Sequence, residues 1–585
     1  MPVDPGSFPS NSPVTAKSLN TALYTYTPGN AYTPTGILFH ANRPVLVESL
    51  GSAKTQASTS TGTVTSLNGA GQWRSYVDTS ALFGAGADAQ FTGATGQFNP
   101  NVPGTSGAAG TPGGLYLIWG FPAFSATTNA GGSGAALLEN GTSVTGGLQR
   151  SSTANQNCSY VLDLISASQN QRTALQGYCA DASGTSYSYV TNTTDYSGNS
   201  TRFYGMWAAT GNISTITTVP APPSWTSAST VTSAVLNGTA ISYPLQLLDN
   251  PPVLRAGASL SNAITASTTT TVPVNAAQID TASAFNTSTH AYTVPLTGVW
   301  LVHGSVHYAA GSTGAMYAGI GIASNVVWGP AYSATGSGTN ACQVSKLLDL
   351  NASDSITLVT STTAANSLGN SSQCRLVMTW LGTLAGSNGS VSWTPPDTSY
   401  RWQAGASGTA LVSAFQTHLT NDISFLLNRP YLLNFQGTAQ TGLSNNAFHA
   451  ITMNASPSGI VHGSAGDNYG GWNSGSSEYA AKVPGWYLVL GGYKQSVLGT
   501  AASCRAAIFQ SPGGANAPDW YQYIAASVVS SAFPGAEAIG LYYLNTGDVV
   551  QPQYQQQLGG ATFSTIGNIT NSGHGCTFSV IWVCE

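Results

Sequence analysis

Charge is what this sequence has least of. Only 6% of its 585 residues are Asp, Glu, Lys or Arg, against roughly a quarter in an average soluble chain. The net charge is −5 and no cluster of Lys or Arg stands out. Nothing here could neutralise a run of phosphates, which argues against a nucleic-acid partner. Glu occurs five times, as Glu48, Glu139, Glu478, Glu537 and Glu585. No two of these fall at matching places in the repeat described below, and no paired-carboxylate pattern for glycoside hydrolysis emerges. There is no HExxH, no phosphate-binding loop and no nucleophile elbow in a strand-turn-helix context. No run approaches the ~18 apolar residues of a membrane span. The opening "MPVDPGSFPSNSP" has no basic stretch leading into an apolar one, so synthesis in the cytoplasm without a secretory signal is expected.

The seven cysteines contain no CxxC pair and no His at zinc spacing, which leaves zinc without a ligand set. Buried free thiols are the simpler reading, with disulfides inside a repeat as the alternative. No cofactor and no metal is expected.

What fills the space left by charge is Gly, Ser, Thr, Ala and Asn, with 42% apolar residues and 10% aromatics. That is enough to bury cores and excludes a disordered chain. A surface of hydroxyls and amides suits a protein packed in an assembly or facing a harsh exterior. At this length several domains are expected.

A repeat supplies them. "GLYLIWG" (114–120), "GVWLVHG" (298–304) and "GWYLVLG" (485–491) share one pattern. Before each comes Asn-x-Pro-[Val/Tyr]-Leu, as "NRPVL" (42–46), "NPPVL" (250–254) and "NRPYL" (428–432). After each comes a run ending in Trp, "RFYGMW" (202–207), "RLVMTW" (375–380) and "TFSVIW" (577–582). The order never changes, which points to three tandem domains at 1–217, 218–391 and 392–585. Pro-rich joints at 218–225 and 391–402 read as stiff connectors.

Each repeat opens on a short helical segment. In the third, Leu411, Phe415, Leu419, Ile423, Phe425, Leu426 and Leu427 keep near-helical spacing until Pro430. Short β-type runs follow, split by Gly, Asn, Ser and Pro, with no helical crossovers. The fold class is therefore mainly β: three antiparallel sandwiches, each preceded by a helix. The heptapeptide, apolar at consecutive positions, predicts a strand covered on both faces. Its leading Gly suits a turn and its final Gly a bulge or close contact.

At these residues the chain resembles the C1q/TNF-type jelly rolls. That family starts a central strand with G-x-[YW]-x-[VF] and precedes a late strand with a GD-x-[VI] turn. "LNTGDVV" (544–550) matches, "LNASDSI" (350–356) has Ser353 for the Gly, and "LISASQNQ" (164–171) lacks the Asp. The helix followed by "NDISFLLNRP" (421–430) is similar to the preamble of such domains in minor tail proteins of tailed phages infecting actinobacteria. The resemblance implies a non-enzymatic bacteriophage virion protein, made in the host cytoplasm, acting in tail structure and host attachment. Its partners would be other virion proteins and a host-surface glycan. Trimers are common in the family. Here either three chains stack, or one chain folds its three domains about a pseudo-threefold axis. A capsid decoration or head-fibre protein and a carbohydrate-binding adhesin are the competing readings.

Three candidate sites emerge. His303 and His307 share a strand face and could ligate a metal. Against this, His303 matches Trp119 and Leu490 in the other repeats, which predicts a packed residue. The loop 463–479 brings Asp467, Asn468 and Glu478 together, as calcium would need, yet without the spacing of a known calcium loop. For a glycan, Tyr469 and Trp472 of that loop, with Trp520, Tyr521 and Tyr523 placed in another, could stack on sugar rings. The competing expectation is that these aromatics pack against a neighbouring domain or subunit.

Overall fold

The computed structural model describes stretches within 37–211, nearly all of 239–384 and most of 419–585. These three groups are called the first, second and third segments below. The expected boundaries at 217/218 and 391/392 lie outside the described residues, as do Leu411 and Phe415.

The described residues form antiparallel sheets joined by loops, with short helices before the first strands. Each segment contributes a quartet of strands to an inner sheet. In the first these are β1 (Val45–Leu50), β2 (Gly114–Phe121), β3 (Val161–Ala167) and β4 (Arg202–Ala209). In the second they are β5 (Val253–Ala258), β6 (Gly298–Tyr308), β7 (Asn340–Leu350) and β8 (Cys374–Gly382). In the third they are β9 (Tyr431–Phe435), β10 (Gly485–Lys494), β11 (Gly535–Leu544) and β12 (Thr577–Cys584). The spatial orders are β1-β4-β2-β3, β5-β8-β6-β7 and β9-β12-β10-β11. One pairing scheme thus recurs along the chain: first strand, last strand, heptapeptide strand, and a later strand at the edge.

An outer sheet covers one face of each inner sheet. In the second segment its main strands run in the order Ala291–Thr293, Ser355–Thr362, Ala315–Ile322 and Asn325–Trp328. The third uses Glu478–Ala480, Val549–Gln557, Ser503–Ser511 and Trp520–Ser527 in the same order. Two face-to-face antiparallel sheets with strands crossing between them make a jelly roll. The first segment's outer sheet continues into the second's inner sheet through a single parallel pair, Leu148 with Asn340.

The heptapeptides sit in β2, β6 and β10, between the last strand and the edge strand. Every residue of β6 is buried. Trp300, Val302, Val306 and Tyr308 point into the segment's own core, and Val299 and Leu301 point the other way into a second core. Alternation is invisible in the sequence because both faces are dry.

The leading Gly has a specific packing duty. A Cβ on Gly298 would lie 2.2 Å from Trp380 Nε1 and 2.4 Å from the Gly382 carbonyl. Gly485 would meet Trp582 Nε1 at 2.4 Å, and Gly114 would meet Trp207 Nε1 at 2.9 Å. The heptapeptide's Gly and the Trp that ends the last strand are therefore two halves of one contact. Gly114 and Gly485 also have φ of 141°, which side chains resist. The closing Gly is a close contact and not a bulge: a Cβ on Gly304 would sit 2.5 Å from Leu358.

The late turns explain the GD-x-[VI] pattern. Asp354 Oδ2 accepts the Asn351 N–H at 2.8 Å, and Asp548 Oδ2 accepts the Asn545 N–H at 2.8 Å. The carboxylate closes the turn, and the residue before it carries a positive φ, 91° at Gly547 and 77° at Ser353.

Helix α1 (Ile37–Ala41), α2 (Thr239–Asp249) and helical residues 419–427 precede the three Asn-x-Pro motifs. Phe39 packs edge-on against Trp207, and Phe425 does the same against Trp582. The first and third helices are thus seated on the motif Trp of their own segments.

Candidate functional site

The inner sheets turn their free faces toward one another. One contiguous apolar cluster contains Leu115, Leu117, Trp119, Leu162, Leu164 and Met206 of the first segment. It also holds Val299, Leu301, Leu347 and Val377 of the second, and Leu488, Leu490, Ile539, Leu541 and Ile581 of the third. Leu117, Leu301 and Leu488 occupy the same place in their heptapeptides. Leu164, Leu347 and Leu541 stand directly across from them on β3, β7 and β11. Apolar strands from all three segments share one dry centre, and removing such surface from water at ~25 cal/mol per Å² drives the closure.

Backbone bonds close the arrangement into a ring. Past the end of β4, the Thr210 N–H donates to the Asp249 carbonyl at 2.9 Å. Thr383 N–H donates to Leu427 O at 2.8 Å, and Glu585 N–H to Ala41 O at 2.7 Å. Each donor is three residues beyond a motif Trp, and each acceptor is the residue before a motif Asn. The first segment binds the second, the second binds the third, and the third binds the first.

Beyond the leucines the centre becomes polar. Tyr160 OH donates to Glu537 Oε2 at 2.7 Å, and Lys346 Nζ meets Glu537 Oε1 at 2.8 Å. Ser345 N–H also donates to Glu537 Oε2, at 3.1 Å, and Gln343 Nε2 donates to the Tyr160 carbonyl at 2.6 Å. Asp163 takes Arg255 bidentately, at 3.0 Å from Nε and 2.7 Å from Nη2, with Arg375 Nε 3.7 Å away. These pairs all cross between segments. Burial first, then Lys346, holds the Lys494 amine well below its ordinary pKa, and it donates to Trp328 O at 2.6 Å. Burial, with Glu537 close by, drives the Tyr160 phenol well up.

His303 belongs to this interface, its ring edge-on to Tyr160 of the first segment, and His307 follows it on β6 beside Arg375. His303 Nδ1 bonds Ser345 Oγ at 2.8 Å, and its Nε2 has no partner. Neither ring nitrogen of His307 has one. Burial lowers the pKa of His303 to about 4 and that of His307 to about 3, the latter aided by Arg375. Four residues apart on a strand, their backbones are separated by ~13 Å, so they cannot grip one ion. Among the described residues no three His, Cys, Asp or Glu side chains gather as a metal site.

In the candidate calcium loop the oxygens are already engaged. Asp467 accepts N–H bonds from Tyr469 at 3.0 Å and Trp472 at 2.6 Å. Asn468 bonds the Tyr431 N–H and the Arg429 carbonyl, and Glu478 faces Gln551. These side chains shape the loop.

The candidate sugar-stacking aromatics are not brought together. Tyr469 and Trp472 are half-buried against their own core, Tyr469 edge-on to Phe425 and Trp472 against Phe578. Trp520, Tyr521 and Tyr523 lie on a strand, Trp520–Ser527, and not in the loop that the sequence suggested. They pair in register with Gln510, Phe509 and Ala507. That strand runs beside Asn157–Cys158 of the first segment and Tyr332–Ser333 of the second.

Cys342, Cys374, Cys504, Cys576 and Cys584 are buried free thiols. Burial pushes Cys374 and Cys576 up to about 11 and Cys504 and Cys584 up to about 12. Such thiols are packing groups, not nucleophiles. The side chains of Cys158 and Cys179 lie outside the described residues.

No protein-family profile matches the chain, and no curated protein matches it. Among solved structures it is similar to the globular domain of zebrafish complement 1qA, with 11% identity over 27% of this chain and 99% of that one, at a TM-score of 0.18. It is similar to murine APRIL at 10% identity, over 26% of this chain and 99% of that one, TM-score 0.19. It is also similar to Eiger TNF from S. frugiperda at 12% identity, over 27% of this chain and 95% of that one, TM-score 0.20.

Proposed function

We propose that this chain is a non-enzymatic bacteriophage virion protein, a minor tail protein whose three jelly rolls close about a pseudo-threefold axis as a single-chain trimer. The apolar centre shared by all three segments carries this reading. The surfaces that a one-domain subunit would offer to two other subunits are used up inside one polypeptide. The ring of three equivalent backbone bonds leaves no segment with an unclosed end among the described residues. A compact, weakly charged body of this kind suits a structural part at a tail tip, with the loops that differ between segments available for host-surface contact. The tail assignment rests on the helix, Asn-Arg-Pro and jelly-roll order in the sequence.

Two measurements test this. Light scattering of the purified chain should give one copy, 59.8 kDa, and a threefold multiple would sink the single-chain reading. Imaging of virions labelled on this chain should place it on the tail. Label on the head would replace the tail reading with capsid decoration, and no label on particles would remove the virion reading.

A further inference from the structure

We infer that the three junctions between segments carry different polar matches, so that each inner face accepts one particular neighbour and the cyclic order of the segments is written in the interface. This rests on the single-chain closure proposed above and goes beyond it.

The positions are equivalent, and the residues are not. Asp163, Lys346 and Gly540 each stand across from the fifth heptapeptide residue, Ile118, Val302 and Val489. One site is acidic, one basic and one empty of side chain. Gln343 and Glu537 pair with the eighth residue, Ser305 and Gly492. Tyr160, next to Val161 opposite Gly120, holds that place in the first segment. All three are at most 3% exposed.

The receiving faces differ to match. Arg255 follows the Pro-[Val/Tyr]-Leu motif, where the other segments have Val47 and Leu433. Arg375 lies five residues before its motif Trp, where the others have Arg202 and Thr577. Asp163 therefore meets two guanidiniums on the second segment. Lys346 meets Glu537 and Thr577 on the third. On the third segment's edge strand, two residues past Gly540, Tyr542 comes near Arg202 and Tyr204 of the first.

Any other pairing breaks a match. Lys346 against Arg255 and Arg375 would bury three cations together. Asp163 against Leu433 and Thr577 would bury a carboxylate without a cation. A threefold assembly of the third segment alone would set three Glu537 side chains around one axis, with Gly540 where the lysine should be. Burying an unpaired charge costs far more than a well-made pair gains, so such mismatches discriminate strongly.

The test uses the full chain in three forms. Asp163→Lys with Lys346→Asp keeps composition and net charge but exchanges the two addresses. Asp163→Arg with Arg255→Asp reverses one pair, with Arg375 and Glu139 left in place beside it. Asp163→Arg alone is the mismatch control. The exchanged form and the control should melt ~4 °C or more below wild type, and both should leave the monomer peak. The reversed pair should regain at least half of the control's loss. An exchanged form that stays monomeric and melts within ~1 °C of wild type would overturn the inference. So would a reversed pair that melts no higher than the control, which decides the matter even if the exchanged form does not fold. A wild-type mass of three chains would instead remove single-chain closure, leaving the comparison of melts intact.

Discussion

Acid should weaken this protein through two buried histidines on β6. His303 and His307 are buried with folded pKa values of about 4 and about 3, while a His in the unfolded chain titrates near 6.5. Between those values the unfolded state binds protons that the folded state refuses. Their contribution is therefore intact above about pH 6.5 and is lost as the pH falls toward the folded values. At pH 5 each residue should cost about 2 kcal/mol relative to pH 8, or about 4 kcal/mol together. The charged groups acting on them, Asp163 on His303 and Arg375 on His307, are present in both proteins compared. His40 at the helix end is also held neutral by burial, with Arg43 beside it, but it is common to both proteins compared. The assay is urea unfolding at pH 8 and pH 5 for wild type and for His303→Gln/His307→Phe. Glutamine retains a group for Ser345, and phenylalanine fills the site of a ring that bonds nothing. The wild type should lose about 4 kcal/mol more than the variant across that interval. Equal losses, within about 1 kcal/mol, would refute burial of neutral rings as the source.

Other tests are simpler. Gly298→Ala pushes a methyl into Trp380 and the Gly382 carbonyl, and should cost about 1–3 kcal/mol by thermal melting. Ser353→Gly removes a side chain from a φ of 77° and should stabilise by about 1 kcal/mol, with Gly547→Ser losing a similar amount in urea titrations. Asp467→Ala deletes the acceptor of two loop N–H bonds and should cost about 1–2 kcal/mol, read from the urea midpoint, while calcium should leave the wild-type melt unchanged. The five described free thiols should resist a thiol reagent in the native protein and react at least ~100-fold faster in urea.

Much of the fold was legible because its repeated parts touch each other. The heptapeptide Gly and the motif Trp stand out separately in the sequence, and they turn out to be one contact, Gly298 against Trp380. The turn aspartates were likewise visible by position. The interface was harder to read. An apolar residue facing its own outer sheet, such as Val302, looks the same in sequence as Leu301, which faces the other segments. The polar matches were hidden because their partners lie far apart in the chain: Asp163 and Arg255 are 92 residues apart. Misplacing Trp520, Tyr521 and Tyr523 in a loop has a local cause. "PDWYQY" opens with turn residues, and the pairing with Ser503–Ser511 that makes it a strand is not written in its own composition.

The bond from Tyr160 to Glu537 spans 377 residues, and this sets a schedule for synthesis. At ribosomal speeds of about 5–20 residues per second, the first segment must wait roughly 20 to 75 s for the partner of that phenol to exist. During that interval its leucine face has nothing of its own chain to complete the closure. The same centre that makes the finished protein self-contained therefore makes the nascent one adhesive. Its yield should depend on how fast the last third of the chain emerges, and on what shields the first two while they wait.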